Sequence, residues 1–248
     1  MASALKKTLK AILVAAFWLA VWQTAAYFVG SELLLPTPFS VIKTLFKLIG
    51  THKFRISAAN TLIRVVAGFT LGLFAGTLLG CLTAASKLLA SLLSPLRSII
   101  KATPVTSFIV LLLLYLSPVI TPVAVSVLMV IPIAWTNVAK GITETDADLL
   151  EMAKVFRLGR LKTVRSIYIP SVLPHFLTAA TTGFGFAWKS CVAAEVIAMS
   201  KLSIGIGLYE SKLYLETPEL FAWTAAIIII SMLLEAVLVK LIERLKKW

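Results

Sequence analysis

Two cysteines, two histidines and eleven acidic side chains in 248 residues leave this chain poorly equipped for several common chemistries. Cys81 and Cys191 each sit singly inside apolar runs, where they act as small apolar residues, so neither a disulfide framework nor a thiolate metal site follows. His52 and His175 are isolated, without a second histidine or glutamate at helical spacing, which excludes the common zinc-hydrolase pattern. No serine stands in a G-x-S-x-G elbow. No G-x-x-x-x-G-K-[ST] occurs, and no lysine directly follows a glycine, so the chain has no phosphate-cradling loop of its own. Charge is scarce as well. Only 14% of residues are charged and 59% are hydrophobic, where a soluble domain carries about a quarter charged residues.

What is present is a series of apolar runs approaching or reaching the roughly 20 residues that cross a bilayer core as a helix. Six spans are expected: Leu9 to Val29, Ser57 to Leu82, a short one from Pro104 to Leu116, Val123 to Ala139, His175 to Met199, and Phe221 to Val239. The first is expected as a retained anchor, because it is too long for a signal-peptide core and Glu32 with the following LLPTP is a poor cleavage site. Phe39 to Gly50 and Ser86 to Lys101 alternate apolar and basic residues at helical spacing, which predicts two helices lying at opposite membrane surfaces. Pro132 is expected to kink the fourth span or to mark a place where neighbouring helices satisfy the freed backbone groups. Gly68, Gly72, Gly76 and Gly80 recur every fourth residue, forming one bare helix face against which another backbone can pack.

The net charge of +13 does not describe a nucleic-acid binder, because the basic residues lie in the connections and at the ends. On one side fall Lys6, Lys7, Lys10, Lys87, Arg97, Lys101, Lys140, the run from Lys154 to Arg165, and Lys240, Arg244, Lys246 and Lys247. The other side carries only Lys43, Lys47, Lys53, Arg55, Lys201 and Lys212. By the positive-inside rule both termini are expected in the cytoplasm. Asp146, Asp148 and Glu151 suit the start of a solvated helix better than a metal site. Arg64, Lys189 and Glu195 fall inside spans, where charge is costly and has to face a partner or a water-filled path. Their depths predict that Arg64 and Glu195 pair between the second and fifth spans, and leave Lys189 to line the path of an anionic solute.

The segment Glu151 to Pro170, EMAKVFRLGRLKTVRSIYIP, lies between two spans on the basic side. It resembles the "EAA" coupling segment of permease subunits of ATP-binding-cassette importers, and LLPTPFSVI, NTLIRVVAGFTLG, AWKSCVAAEVIA and ETPELFAWTAAIIIISMLLE resemble blocks of the nitrate, sulfonate and taurine branch. The resemblance implies an all-α, polytopic type I importer permease of about six transmembrane helices. Residues 1–248 would form one domain, with 57–242 the core and 144–174 the cytosolic coupling segment. It further implies a non-catalytic subunit in a bacterial inner membrane that needs no cofactor of its own. ATP and magnesium would belong to a partner ATPase, docked on Glu151, Met152, Ala153, Lys154, Arg157, Gly159 and Arg160. An extracytoplasmic solute-binding protein and a second permease chain, forming a homodimer, complete the implied assembly. Arg64, Lys189 and Glu195 are the expected path residues. The family's motif glycine is Arg157 here, so Gly159 is expected to supply the turn. An ion-coupled carrier or channel working without ATP is the alternative, and it leaves the coupling segment unexplained.

Overall fold

The computed structural model describes residues 2–245; Lys246 and Lys247, counted above for topology, lie outside them. The described chain is helical throughout, with no strand. In order come α1 (Ala2–Val29), α2 (Pro38–Ile49), α3 (His52–Ala85), α4 (Lys87–Ala102), α5 (Val105–Leu113), α6 (Thr121–Thr143), α7 (Ala147–Val155), α8 (Arg160–Thr163), a π-helical turn (Val164–Tyr168), α9 (Ile169–Ile197), α10 (Ile204–Leu213) and α11 (Thr217–Leu245). Side-chain caps set several starts. Thr37 accepts from the Ser40 amide at 3.2 Å, Thr51 from Phe54 at 3.1 Å and Ser203 from Ile206 at 3.0 Å, each satisfying an amide that the helix itself leaves free.

Among the described residues four helices are long and apolar enough to cross a membrane: Ile12–Val29, His52–Ala85, Thr121–Thr143 and Thr217–Ile242. The short third span is not a free-standing helix. α5 has nine residues, about 14 Å of helix, too short to cross alone, and it follows α4 at a bend of 99°, the geometry of a broken span or a re-entrant loop. α9 is long enough at 29 residues but carries Thr178, Thr181, Thr182, Lys189, Ser190 and Glu195. Its polarity follows from its position: it packs against α3 and α6 along much of its length and shows little of itself to lipid.

The centre of the bundle is α3, α6 and α9. The glycine face of α3 meets α6 directly. A Cβ added at Gly68 would lie 2.5 Å from the Ser126 Cβ, at Gly72 2.8 Å from the Val130 Cβ, at Gly76 2.6 Å from the Ile131 carbonyl, and at Gly80 2.9 Å from the Val138 Cβ. No side chain fits between these helices. Val65, Phe69, Val130, Phe184, Trp188, Cys191 and Trp223 fill the apolar core around that contact. α1 stands at the periphery, tied by Trp22, whose indole N–H donates to the Pro36 carbonyl at 3.1 Å.

Candidate functional site: a connecting hairpin and charges within the bundle

Between α6 and α9 the chain leaves the bundle as a helical hairpin made of α7, a turn and α8. Asp146 starts α7, its carboxylate accepting from the Asp148 amide at 2.9 Å. Ala153 faces inward at 4% exposure and adjoins, with Leu150, Leu158, Thr163 and Tyr168, a cavity of about 330 Å³ inside the hairpin. Glu151, Met152, Lys154, Arg157, Gly159 and Arg160 are all exposed.

The turn differs from the sequence expectation. The Leu158 amide donates to the Ala153 carbonyl at 2.9 Å and the Arg157 amide to the Lys154 carbonyl at 3.0 Å, the paired bonds of a Schellman stop. Arg157 is the left-handed residue of that stop, with φ of 49°. Gly159, expected to make the turn, has φ of −60° and ψ of 153°, an extended conformation open to any residue. The chain thus closes the turn at the motif position itself, with an arginine in a conformation that favours glycine.

Beside the motif and its basic residues the hairpin exposes three apolar side chains that the motif does not include. Val155 is 78% exposed, Phe156 72% and Leu161 84%, all at the tip of a connection that also carries Lys154, Arg160 and Lys162. Large apolar side chains in a polar connection outside any span were the signal available in the sequence, since water gives them no reason to be there.

At the far end of α9 the structure brings Arg64 and Glu195 together. The Arg64 Nη1 donates to Glu195 Oε1 at 2.7 Å, and Nη2 to the Lys201 carbonyl at 3.3 Å. Thr61 Oγ1 lies 2.8 Å from Glu195 Oε2 and also accepts the Ile204 amide at 3.0 Å, while the Gly205 amide donates to Glu195 at 3.3 Å. Glu195 has no exposed surface and Arg64 is 9% exposed. Both therefore sit inside a closed node joining α3, α9 and the start of α10, and neither lines an open path, contrary to their sequence assignment. Removing one partner from such a pair costs about 3–5 kcal/mol, because the other charge is left buried alone.

Lys189 lies elsewhere, exposed on the open face of α9 with Thr182 and Phe186. Among the described residues no carboxylate lies within ion-pair distance of it. A fourth charge within a span went unweighed in the sequence. Glu235 of α11 lies against α9, its Oε1 3.3 Å from where a Gly185 Cβ would be, and Gly185 is one helical turn from Lys189. Beside this face, Pro104, Val105, Met129, Pro132, Thr182 and Phe186 line a cavity of about 400 Å³. No cluster of three metal-ligating side chains occurs among the described residues.

Comparison with known proteins places this geometry. The chain is 26% identical over 243 residues to a protein named as an aliphatic sulfonates transport permease, SsuC, of Bacillus subtilis (strain 168), covering 97% of this chain and 87% of that one. It is 27% identical over 215 residues to the nitrate import permease protein NrtB of Synechocystis sp., covering 82% and 76%. Against the taurine transport system permease protein TauC of Escherichia coli (strain K12) it is 26% identical over 234 residues, covering 92% and 84%. The fold matches that of a solved amino acid ABC transporter, crystallised with histidines, with a TM-score of 0.63 over 79% of this chain and 93% of that one, at 19% identity. A family model described as "binding-protein-dependent transport system inner membrane component" matches residues 68–247, and this multi-pass helical chain belongs to that family of ABC importer permeases, in its nitrate, sulfonate and taurine branch.

Proposed function

We propose that this chain is the transmembrane subunit of an ATP-driven importer in a bacterial inner membrane, passing a small anionic solute and moved by a separate ATPase at its coupling hairpin. The observation that carries the reading is the hairpin itself. It hangs between α6 and α9, two central helices of the bundle, and presents Val155, Phe156 and Leu161 beside basic residues. Such a mixed patch gains by entering an apolar groove with an acidic rim. In this reading both termini are cytoplasmic, two copies of the chain assemble around the path, and a solute-binding protein delivers cargo from outside. ATP and magnesium are held by the ATPase. Lys189, on the open face of α9, supplies positive charge to the path, and the anions named for the relatives support that choice.

Reconstitution with the ATPase and binding protein tests the reading. Phe156→Asp is expected to abolish ATP-dependent uptake and co-purification of the ATPase while leaving the permease folded. Uptake that persists without any ATPase, driven by an ion gradient alone, would replace this proposal with the carrier.

A further inference from the structure

The end of α3, α4 and the last turns of α6 enclose a cavity of about 390 Å³ on the hairpin side of the bundle, apart from the open face of α9. Thr83, Arg97, Trp135, Thr136, Lys140 and Thr143 contribute its polar lining, with two cations and no carboxylate among them. The helix that supplies Arg97 is amphipathic in an inverted sense. Leu88, Leu92, Leu96 and Ile99 form an exposed apolar stripe on α4, while Arg97 is partly buried and turned towards α6.

Arg97 is held there by its surroundings. Its Cζ lies 5.6 Å from the ring centroid of Trp135. That indole is buried at 1% exposure and fixed by its Nε1–H, which donates to Thr83 Oγ1 at 2.8 Å. This cation–π contact holds the guanidinium beside the ring without neutralising its charge. No carboxylate lies within ion-pair distance of Arg97 among the described residues. Lys140 faces the same cavity and reaches Glu144 only at 3.7 Å, on an exposed surface. The hydroxyls of Thr83, Thr136 and Thr143 donate to backbone carbonyls, so the positive field of the cavity comes from Arg97 and Lys140.

We propose that this cavity binds a phosphate group, and that its occupant is the headgroup of an anionic phospholipid in the leaflet on the hairpin side. Arg97 has no matched acid and Lys140 only a long, exposed contact with Glu144, which leaves net positive charge for an anion, and a guanidinium held against an indole suits phosphate oxygens. The leucine stripe decides the source, because it lays α4 against hydrocarbon and places the cavity at headgroup depth. This rests on the membrane disposition proposed above, not on the coupling role, and the experiment does not read transport.

The assembled complex would be equilibrated with phosphatidylcholine vesicles containing phosphatidylglycerol, and the lipid it retains identified by native mass spectrometry, with inorganic phosphate added in parallel as a soluble competitor. Phosphatidylglycerol should be retained over phosphatidylcholine. Arg97→Gln and Lys140→Gln should each lower retention about fivefold, equivalent to ~1 kcal/mol per cation, while Lys87→Gln, on α4 but outside the cavity, should not. Equal retention by wild type and both cavity variants would overturn the site. Displacement of the lipid by millimolar inorganic phosphate would overturn the lipid as occupant and assign the cavity to a soluble phosphate. Should Arg97→Gln fail to assemble, Lys140→Gln carries the test alone, since its exposed side chain contributes little packing.

Discussion

The Arg64–Glu195 node and the α7–α8 hairpin both concentrate charge, and they treat it in opposite ways. At the node every charged group has partners: Glu195 accepts from Arg64, Thr61 and the Gly205 amide, and nothing of it meets solvent. At the hairpin Lys154, Arg157, Arg160 and Lys162 are exposed and, among the described residues, take part in no ion pair. The difference is one of surroundings. Within the bilayer an unpaired charge costs kilocalories, so burial selects a closed, satisfied set. At the surface water satisfies the cations at little cost, which leaves them available to another chain.

The sharpest way to break the comparison is to unpair the node. Glu195→Leu should lower stability by about 3–5 kcal/mol and lose most of the folded, membrane-inserted protein, whereas Arg64→Met combined with Glu195→Leu should recover much of it. Quantifying monodisperse protein after detergent extraction separates these outcomes, and a double variant no better than the single would show that the node does more than neutralise charge. Next in size is Gly76→Leu. The new side chain would meet the Ile131 carbonyl and the Ala134 Cβ at contact distances below 3 Å, so overpacking should cost about 1–3 kcal/mol or more, read as a lowered Tm of the purified complex.

Away from the node and the glycine contact the expected effects are smaller in stability and larger in function. Lys189→Met, on the open face of α9, should leave Tm within about 1 °C and reduce uptake of anionic solute several-fold in reconstituted liposomes, and unchanged uptake would remove it from the path. Smallest of all, Arg157→Gly should stabilise the turn by up to about 1 kcal/mol, because it relieves the left-handed strain, while Gly159→Ala should be close to neutral. Hydrogen exchange across Ala153 to Gly159 distinguishes the two. Greater disturbance from Gly159→Ala would return the turn to the glycine.

Much of this was legible in the sequence because it repeats. The period of four from Gly68 to Gly80 announces a bare helix face, and the structure supplies the neighbour, α6, that no periodicity could name. The depth argument brings Arg64 to Glu195 because both are constrained by hydrocarbon. What was not legible depends on local geometry. Arginine and glycine can both end a helix in the left-handed region, so the choice between Arg157 and Gly159 rests on which amide reaches back to Ala153. The break between a surface helix at Ser86 to Lys101 and a short span opening at Pro104 is where α4 meets α5, but the 99° between them follows from how α5 packs on α6, which no local pattern announces. Arg97 read as one more surface cation, since nothing in its neighbours foretells the indole of Trp135 beneath it.

The π-helical turn between α8 and α9 gives the bundle a mechanical property. It lies directly before Pro170, whose ring displaces the regular bond to the preceding turn, yet the backbone stays right-handed helical from Thr163 through Ile169. Helical backbone therefore runs from Arg160 to Ile197, a beam of roughly 55 Å at 1.5 Å per residue. One tip is in the hairpin and the other is anchored by Glu195 to α3. In the proposed importer a displacement of the hairpin is carried along this continuous backbone into α9 and, through its packing, into α3 and α6. The buried ion pair then holds the far end of α9 to α3 while the hairpin is moved, a brace as well as a staple.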